Sequence, residues 1–323
     1  MGENERALAR LSSLLRCQSG VVSRQQVLDC GVTTAYARSQ LRRRRWVAVH
    51  RGVYVAHTGQ LTWIQRAWCA VLDTTPSALS HDSALDAVSG NGTSRGPIHV
   101  SVDGHRNVRR RSGVVVHYRA DLSDVALDTS PPRVRTEETV LDVASGASTE
   151  LGAVAHLSDA VQSRITTADR LLEALARRGR IHRASFLREV LTDVAQGACS
   201  VLEHTYLTDV ERAHGLPTPV RQAPTGVGRP GFRDADYPDL GLVVELDGRL
   251  GHVDPVSRDL DLERDLDAAV HAGRRTLRVG WGQVLERKCS TALKIALVLA
   301  QEGWTGRPQP CARPDCALRD WPT

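Results

Sequence analysis

The chain has 323 residues, of which 41% are hydrophobic and 24% charged, and its formal net charge is +5. This length allows two or three domains with cores of their own, and the hydrophobic fraction is ordinary for a soluble globular protein. Aromatic residues make up only 4%, which disfavours a large base-stacking surface for single strands. The positive balance is compatible with a polyanionic partner.

Nothing at the N-terminus resembles a secretion signal, and no window approaches the roughly 20 apolar residues of a membrane helix. The chain has 7 cysteines, an odd number, and they are scattered without a disulfide-like rhythm. Scattered thiols of this kind are typical of a reducing compartment. The sequence therefore predicts a soluble cytoplasmic protein without a membrane partner.

Residues 1–58 predict three short helices followed by a small β-hairpin. Ser23 is placed to cap the second helix, and Gly31 ends it. After the third helix, strand-forming residues flank a turn at Arg51 and Gly52. This order is typical of a winged helix-turn-helix, in which the third helix enters the major groove of DNA.

Basic side chains cluster where such a domain would meet DNA. The predicted third helix ends in a run of arginines, and a further arginine stands at the hairpin turn. Phosphates or base edges would then be contacted by Arg38, Arg42, Arg43 and Arg51. The alternative is a small helical domain whose arginines form a solvated face.

The segment from Gly20 to Ala56, above all its ending W-V-x-V-x-R-G-V-Y, resembles the N-terminal winged-helix domain of AbiEi-type abortive-infection antitoxins. Members of that family look like DNA-binding autoregulators. The resemblance therefore implies that double-stranded DNA is the partner of this segment.

Residues 59–196 predict a second region of mixed α+β type. Two helices come first, then two strands around a basic turn, and then further helices, the last of them over 167–195. The arginines from Arg106 to Arg111 either touch a phosphate backbone or form a solvated hairpin tip. His81 has serine and aspartate neighbours, which suggests a catalytic triad. Adjacent residues of a helix point in different directions and cannot form one, so we interpret His81 only as the start of a helix.

Residues 197–305 predict a helix, a hairpin, a helix, a strand and a helix. The hairpin joins FRDADY to LVVELD through a P-D-L-G turn, so that Tyr237 pairs with Leu242 and Asp236 with Val243. In this register one sheet face is apolar and the other carries several carboxylates. These are Asp234, Asp236, Glu245 and Asp247.

Carboxylates that converge on one face repel each other and favour a cation, and an all-oxygen set suits Mg²⁺ or Mn²⁺ better than zinc. Such a site can hold a phosphodiester oxygen and generate hydroxide from bound water. The alternative is an acidic edge that stays solvated. Glu203 follows Ser200 at the spacing of a capping box, which gives this glutamate a structural role in a helix start as an alternative to a catalytic one. His252 is a candidate proton carrier or phosphate ligand.

Several short patterns in this region together resemble the domain of unknown function related to very short patch repair (Vsr) endonucleases, within the PD-(D/E)XK restriction-endonuclease-like superfamily. The first pattern is Asp236-Tyr237-Pro238, and the second consists of Glu245, Asp247, Gly248 and His252. The third consists of Asp261, Arg264 and Asp265, and the fourth runs from Gly273 to Val279. The resemblance implies a mixed sheet flanked by helices, with Asp236 and Glu245 as metal ligands. It places Glu203 at the early acidic position and His252 where the repair enzymes keep an active-site histidine.

One departure concerns Asp247, which stands where the superfamily keeps a lysine. We expect Asp247 to assist at the metal or to take a second ion. The role of the lysine then passes to a nearby cationic side chain or is absent. The candidates are Arg249, His252 and Arg264. An arginine can clamp a phosphate but is a poor proton carrier, since it stays charged.

The Pro-rich tail 306–323 predicts poor order. Cys311 and Cys316 are two potential metal ligands within it, but a structural zinc normally needs four, and no convincing second pair is evident in the sequence.

The chain as a whole is predicted to be a multidomain α/β protein, with a winged helix-turn-helix, an α+β middle domain, a restriction-endonuclease-like domain and a tail. The predicted function is that of a cytoplasmic DNA-binding endonuclease that hydrolyses phosphodiester bonds with Mg²⁺, in phage defence or DNA repair. A competing prediction is a non-enzymatic, antitoxin-like regulator with a degenerate nuclease fold. RNA as the substrate is a third, since metal-assisted hydrolysis does not select the sugar.

Overall fold

A computed structural model of the chain describes residues 2–90, 95–196, 200–224, 232–248 and 274–321. These residues form helices and three β-sheets, so the predicted mixed α/β class is confirmed. They divide into two compact units, Met1–Val143 and Ala144–Thr323. The finer division into four segments stays a prediction. None of the helices in the described part of the chain has both the length and the apolar character needed to cross a bilayer.

The first unit opens with three helices and a three-stranded antiparallel sheet. The helices are α1 (Glu3–Cys17), α2 (Arg24–Asp29) and α3 (Thr34–Arg42), and the strands are β1 (Val21–Ser23), β2 (Val47–His50) and β3 (Val53–Val55). The sheet order is β1-β3-β2. The predicted cap is confirmed, because the Ser23 hydroxyl accepts the Gln26 N–H at 3.1 Å. Strand β1 was not expected, since three residues carry almost no periodic signal.

A small aromatic core holds this part together. Trp46 stacks on Tyr54, with ring centroids 5.9 Å apart, and meets Tyr36 edge-on at 6.1 Å. Leu11 of α1 is buried in the same cluster. Gly52 has a φ of +84° at the turn between β2 and β3, a conformation that glycine adopts without strain. The predicted hairpin is thereby confirmed.

The rest of the first unit surrounds a five-stranded sheet of order β6-β5-β4-β8-β7. Its strands are β4 (Ser77–Leu79), β5 (Ile98–Asp103), β6 (Val114–Arg119), β7 (Ala126–Leu127) and β8 (Arg133–Val134). Its helices are α4 (Trp63–Thr74), α5 (His81–Ser89), α6 (Leu122–Val125) and α7 (Thr136–Gly146), which runs across the division between the units. The predicted helix start at His81 is confirmed.

The expected hairpin between the two strands of the basic turn is wrong, because β5 and β6 run parallel. Their connection, residues 104–113, is therefore a crossover from one end of the strand pair to the other. Arg106 donates to the carbonyl oxygens of Thr75 at 2.9 Å and Pro76 at 2.7 Å, and the Arg111 guanidinium lies 2.7 Å from the Asp73 carboxylate. These two arginines thus hold the loop in place.

Arg119, at the end of β6, is the centre of a buried ion network. Its guanidinium pairs with Asp121 at 2.9 Å, with Glu138 at 3.2 Å and with Asp142. Only 7% of the arginine side chain is exposed, and the Glu138 and Asp142 side chains are 6% and 10% exposed. Burial at this level makes the shared cation essential for the carboxylates.

The second unit packs helices around a four-stranded sheet. The helices are α8 (Glu150–Gln162), α9 (Ala168–Arg177), α10 (Ala184–Gln196), α11 (Ser200–Thr205), α12 (Trp281–Leu285) and α13 (Lys288–Gln301). The strands are β9 (Val220–Pro224), β10 (Phe232–Tyr237), β11 (Leu242–Asp247) and β12 (Arg275–Gly280). Helix α11 continues without a break as a π-helical turn, Tyr206–Glu211, and a 3₁₀ turn, Arg212–His214. The single helix expected over 167–195 is wrong, because 178–183 separates α9 from α10 around Gly179.

The sheet order is β12-β11-β10-β9, in which β11 and β12 are parallel and the other pairs antiparallel. The predicted register is confirmed, with Tyr237 opposite Leu242 and Asp236 opposite Val243. A 3₁₀ turn, Pro238–Leu240, connects the strands, and Gly241 follows it at a φ of +59°. The helix expected between β11 and β12 lies outside the described residues.

The expectation of a poorly ordered tail is wrong, because the tail packs against the second unit. The Gln309 N–H donates to the His214 carbonyl oxygen at 2.8 Å, and a 3₁₀ turn, Ala317–Asp320, lies against α13. Leu318 and Cys316 are buried, at 2% and 3% exposure. Its prolines limit regular structure but do not prevent these contacts.

Candidate nucleic-acid and metal sites

The arginines predicted to contact DNA all lie on the surface of the first unit. Helix α3 buries Ala37 and Gln40, so its other side faces solvent. Among the described residues, none of the predicted contacts forms an ion pair with a carboxylate. They are Arg38, Arg42, Arg43 and Arg51, and all four are exposed. Their charge is therefore available to a polyanion.

Two adjoining depressions connect α3 with the β2–β3 turn. Arg38 lines one and Arg51 the other, while Arg24 and Tyr54 line both. Arg24 was not predicted as a contact, although it directly follows the helix cap Ser23 and could have been found from that position. Three arginines, Arg24, Arg38 and Arg51, therefore line neighbouring depressions on this surface.

Three histidines form a cluster that the sequence did not reveal. The rings of His81 and His117 stack with centroids 3.5 Å apart, and His99 Nδ1 lies 3.0 Å from His117 Nε2. One ring nitrogen from each of the three histidines lies within 4.8 Å of the corresponding nitrogens of the other two. A hydrogen bond between two of these nitrogens requires that one ring accept and the other donate. The ring that accepts this hydrogen bond must therefore be neutral.

Acidification is expected to destabilise the first unit through this cluster. Burial, followed by the neighbouring His81 and His99, lowers the pKa of His117 to about 4, and burial lowers the pKa of His81 as well. In the unfolded chain these histidines titrate near pH 6.5. Between about pH 6.5 and pH 4 the unfolded state therefore binds more protons, and stability falls as the pH falls.

The measurement is the urea midpoint of unfolding at pH 7 and at pH 5. We expect His117→Asn to reduce the difference between the two pH values, whereas His105→Asn, at an exposed loop position, leaves it unchanged. An undiminished difference in His117→Asn would show that the pH dependence arises elsewhere.

The predicted acidic face occurs on β10 and β11, but its members have different surroundings. Asp236 is only 6% exposed and pairs with Arg274, which precedes β12. Asp234 accepts the Leu246 N–H at 2.6 Å. Asp247 is exposed. The prediction of an acidic edge that simply stays solvated is thus wrong for Asp236, which has a protein cation as its partner.

The parallel strand β12 places further cationic charge beside this face. Glu245 is opposite Arg278 and Asp247 is opposite Gly280. Residues paired in this way share a sheet face. Neither Arg274 nor Arg278 was predicted as a site residue. Both lie in the Gly273 to Val279 pattern, but only the pairing of β11 with the distant β12 brings them beside the acidic face.

Glu203 of α11 lies near the acidic face. Burial raises the pKa of its carboxyl, and the negative charges of Asp234 and Asp193 raise it further. Its side chain forms a hydrogen bond with Gln222 on β9. The Val201 N–H at the start of α11 donates to Asp193 at 2.7 Å. Glu203 is therefore held towards the sheet, which suits the predicted acidic position, while its capping partner Ser200 has no described side chain.

The carboxylates of this face are all-oxygen donors of the kind that Mg²⁺ prefers. Within the described ranges, no three of them bring oxygen atoms to within 4.8 Å of one another. A cation that binds Asp236 and Glu245 would therefore displace Arg274 and draw the oxygens together. The other predicted site residues lie outside the described residues. They are Arg249, His252, Asp261, Arg264 and Asp265.

No protein-family model matches this chain, and no curated protein does. Among solved structures, the crystal structure of the RV2827C protein from Mycobacterium tuberculosis is similar over 59% of this chain and 79% of its own. The sequence identity is 20% and the TM-score is 0.34. A likeness at this TM-score supports no conclusion about fold or function.

Proposed function

We propose that this protein binds duplex DNA through its N-terminal segment and hydrolyses phosphodiester bonds with Mg²⁺ or Mn²⁺ at the acidic face of its C-terminal sheet. None of the six cysteines among the described residues is in a disulfide, which suits a reducing compartment, and we place the protein in the cytoplasm. A nuclease of this type would act in phage defence or DNA repair.

The observation that carries the DNA-binding part is the row of exposed arginines on and directly after α3 and at the β2–β3 turn, none of which pairs with a carboxylate among the described residues. Helices α1 to α3 and a sheet of order β1-β3-β2 follow the chain order of a winged helix-turn-helix. In that arrangement α3 enters the major groove, so that Arg38 meets base edges while Arg42 and Arg43 meet phosphates. Arg51 would contact the backbone from the wing.

The nuclease part is supported by the mixed sheet and by the carboxylates on one of its faces. Asp236, Glu245 and Asp247 share that face with Val243, which is fully buried, and Leu242 and Val244 are fully buried on the other face. Asp236 and Glu245 would hold the metal, with Asp247 assisting. A Mg²⁺ ion held by these carboxylates would supply Lewis-acid chemistry for phosphodiester hydrolysis.

The remaining roles belong to side chains around this face. Burial and the negative charge of Asp234 raise the pKa of the Glu203 carboxyl, and a shift in this direction suits a proton carrier beside the acidic face. His252, at the position where the resemblance places an active-site histidine, would carry a proton or bind phosphate. Arg264 is a candidate for the role of the missing lysine and could clamp phosphate, since an arginine stays charged. Arg278 on β12 adds a cation beside Glu245.

A second function has its own support, which is the pair between Asp236 and Arg274. A guanidinium already neutralises the carboxylate that a metal needs, and aspartate replaces the usual lysine at Asp247. Both features suit an antitoxin-like regulator that binds DNA without cutting it.

The test is cleavage of supercoiled plasmid DNA and of RNA by the full chain in Mg²⁺, Mn²⁺ or EDTA. We expect divalent-dependent cleavage of DNA and at least about a 100-fold slower rate for Glu245→Gln, since the metal contributes several kcal/mol to transition-state stabilisation. Glu286→Gln changes an exposed glutamate beyond the sheet and is expected to keep the wild-type rate.

Each other outcome has a defined meaning. Tight duplex binding without cleavage in any condition contradicts the nuclease and supports the regulator. Cleavage confined to RNA contradicts DNA as the substrate. Cleavage that persists in Glu245→Gln places the hydrolytic site elsewhere.

A further inference from the structure

Four side chains that can bind a metal lie close together in the second unit. None of them belongs to β10 or β11, the strands that carry the acidic face. They come from three separate parts of the chain: the 3₁₀ turn after α11, the first turn of α13 and the tail. The four are His214, Cys289, Cys311 and Cys316, and their ligand atoms all lie within 4.8 Å of one another. The second pair of ligands that the tail cysteines lack in the sequence is thus supplied by the fold.

His214 is oriented as a metal-binding histidine. Its ring is buried, with 1% of the residue exposed, and Nδ1 donates to the Val210 carbonyl oxygen at 2.9 Å. This bond leaves Nε2 as the unprotonated nitrogen, and Nε2 is buried without a hydrogen-bond partner among the described residues. A buried polar nitrogen without a partner is unfavourable, and a backbone carbonyl on the other nitrogen is typical of zinc-bound histidines.

The thiols have spacings that suit a tetrahedral ion. Cys289 Sγ and Cys311 Sγ are 3.6 Å apart, well beyond the roughly 2.05 Å of a disulfide bond. Ligands at about 2.3 Å around a tetrahedral zinc place their sulfur atoms roughly 3.8 Å apart. Cys289 and Cys316 are 8% and 3% exposed, so the ion would be largely shielded from water.

Hydrogen bonds of the backbone hold the segments that carry these four ligands next to one another. The tail follows His214 closely, because the Gln309 N–H donates to the His214 carbonyl oxygen at 2.8 Å. The loop between Cys311 and Cys316 is closed by the Cys316 N–H, which donates to the Arg313 carbonyl oxygen at 3.3 Å. Arg319 also donates to that carbonyl, at 2.9 Å.

We propose that His214, Cys289, Cys311 and Cys316 bind one structural Zn²⁺. Three thiolates and an imidazole are soft ligands that select zinc over Mg²⁺ or Ca²⁺. Four protein ligands complete a tetrahedral shell and leave no position for substrate, which makes the site structural. The ion fastens the tail to α13 and to the end of the α11 helix.

The test is the metal content of the full chain purified under reducing conditions without chelators. We expect about one zinc per chain, and at least a tenfold lower content in the Cys311→Ser/Cys316→Ser double variant. Both positions lie in the tail, outside the helices and the sheet of the unit, and serine differs from cysteine by a single atom. Cys17→Ser removes an exposed thiol in the first unit and is expected to keep the full zinc content.

Cobalt provides a readout that does not depend on any variant. The reduced, chelator-stripped wild-type chain is titrated with Co²⁺, and we expect the intense visible absorption of tetrahedral cobalt together with a thiolate charge-transfer band. Added Zn²⁺ is expected to displace the cobalt. A chain that contains no zinc and gives no such spectrum overturns the site, and so does an undiminished zinc content in the double variant.

Discussion

Replacing Arg38, Arg42 and Arg43 together by glutamine is expected to weaken duplex DNA binding by at least about 100-fold, since each lost charge-assisted contact costs on the order of 1 kcal/mol or more. The salt dependence is expected to change as well. Each phosphate contact contributes a slope of about 0.9 in log K against log salt, so the slope falls by about 2 to 3. The measurement is the dissociation constant for a duplex at several salt concentrations.

The control separates a defined interface from general attraction between a basic protein and DNA. Arg177, Arg180 and Arg307 are exposed arginines of the second unit, and their joint replacement by glutamine removes the same charge. We expect this control to change the affinity by less than about threefold, because exposed charges outside a binding face are largely screened at physiological salt. Equal losses in the two triple variants would contradict a binding face on α3.

Arg119→Met is expected to lower the free energy of unfolding of the first unit by about 3–5 kcal/mol. The substitution keeps the apolar stem but removes the guanidinium that Asp121, Glu138 and Asp142 share. Two of these carboxylates are almost completely buried, so water cannot replace the lost cation. A loss of this size is a large part of the stability of an ordinary domain.

The loss can be assigned to one unit by pulsed labelling of the Cys69 thiol in increasing urea, because Cys69 is only 1% exposed in the folded first unit. Arg109→Met alters an exposed arginine and is expected to change stability by less than about 0.5 kcal/mol. Adding Asp142→Asn to Arg119→Met is expected to restore part of the loss. A loss below about 1 kcal/mol in Arg119→Met would contradict an essential buried cation.

Local chemistry made part of the fold predictable. The cap at Ser23 and the left-handed glycine at Gly52 determine where the second helix begins and where the first hairpin turns, and both lie within a few residues of their partners. The register of β10 and β11 was predictable for the same reason, because a short turn ending at Gly241 leaves one pairing in which Asp236 lies opposite Val243.

Long-range pairings were not predictable in this way. Strands β5 and β6 look like the arms of a hairpin, yet they are parallel, and only the order of the whole sheet determines this. Arg274 became the partner of Asp236 through the same kind of contact between distant segments. His214 and Cys289 likewise form no spaced motif with Cys311 and Cys316. Only the two tail cysteines could therefore be recognised from the sequence as potential metal ligands.

The π-helical turn between Tyr206 and Glu211 has a consequence for two regions at once. Glu203 lies before this turn and hydrogen-bonds Gln222, whereas His214 lies after it and faces the thiols. In an α-helix each residue advances the side-chain direction by about 100°, and a π turn accommodates an extra residue. The angular phase between Glu203 and His214 is therefore set by the length of this turn. A change of one residue there would misalign the acidic face or the thiol cluster without altering a single ligand.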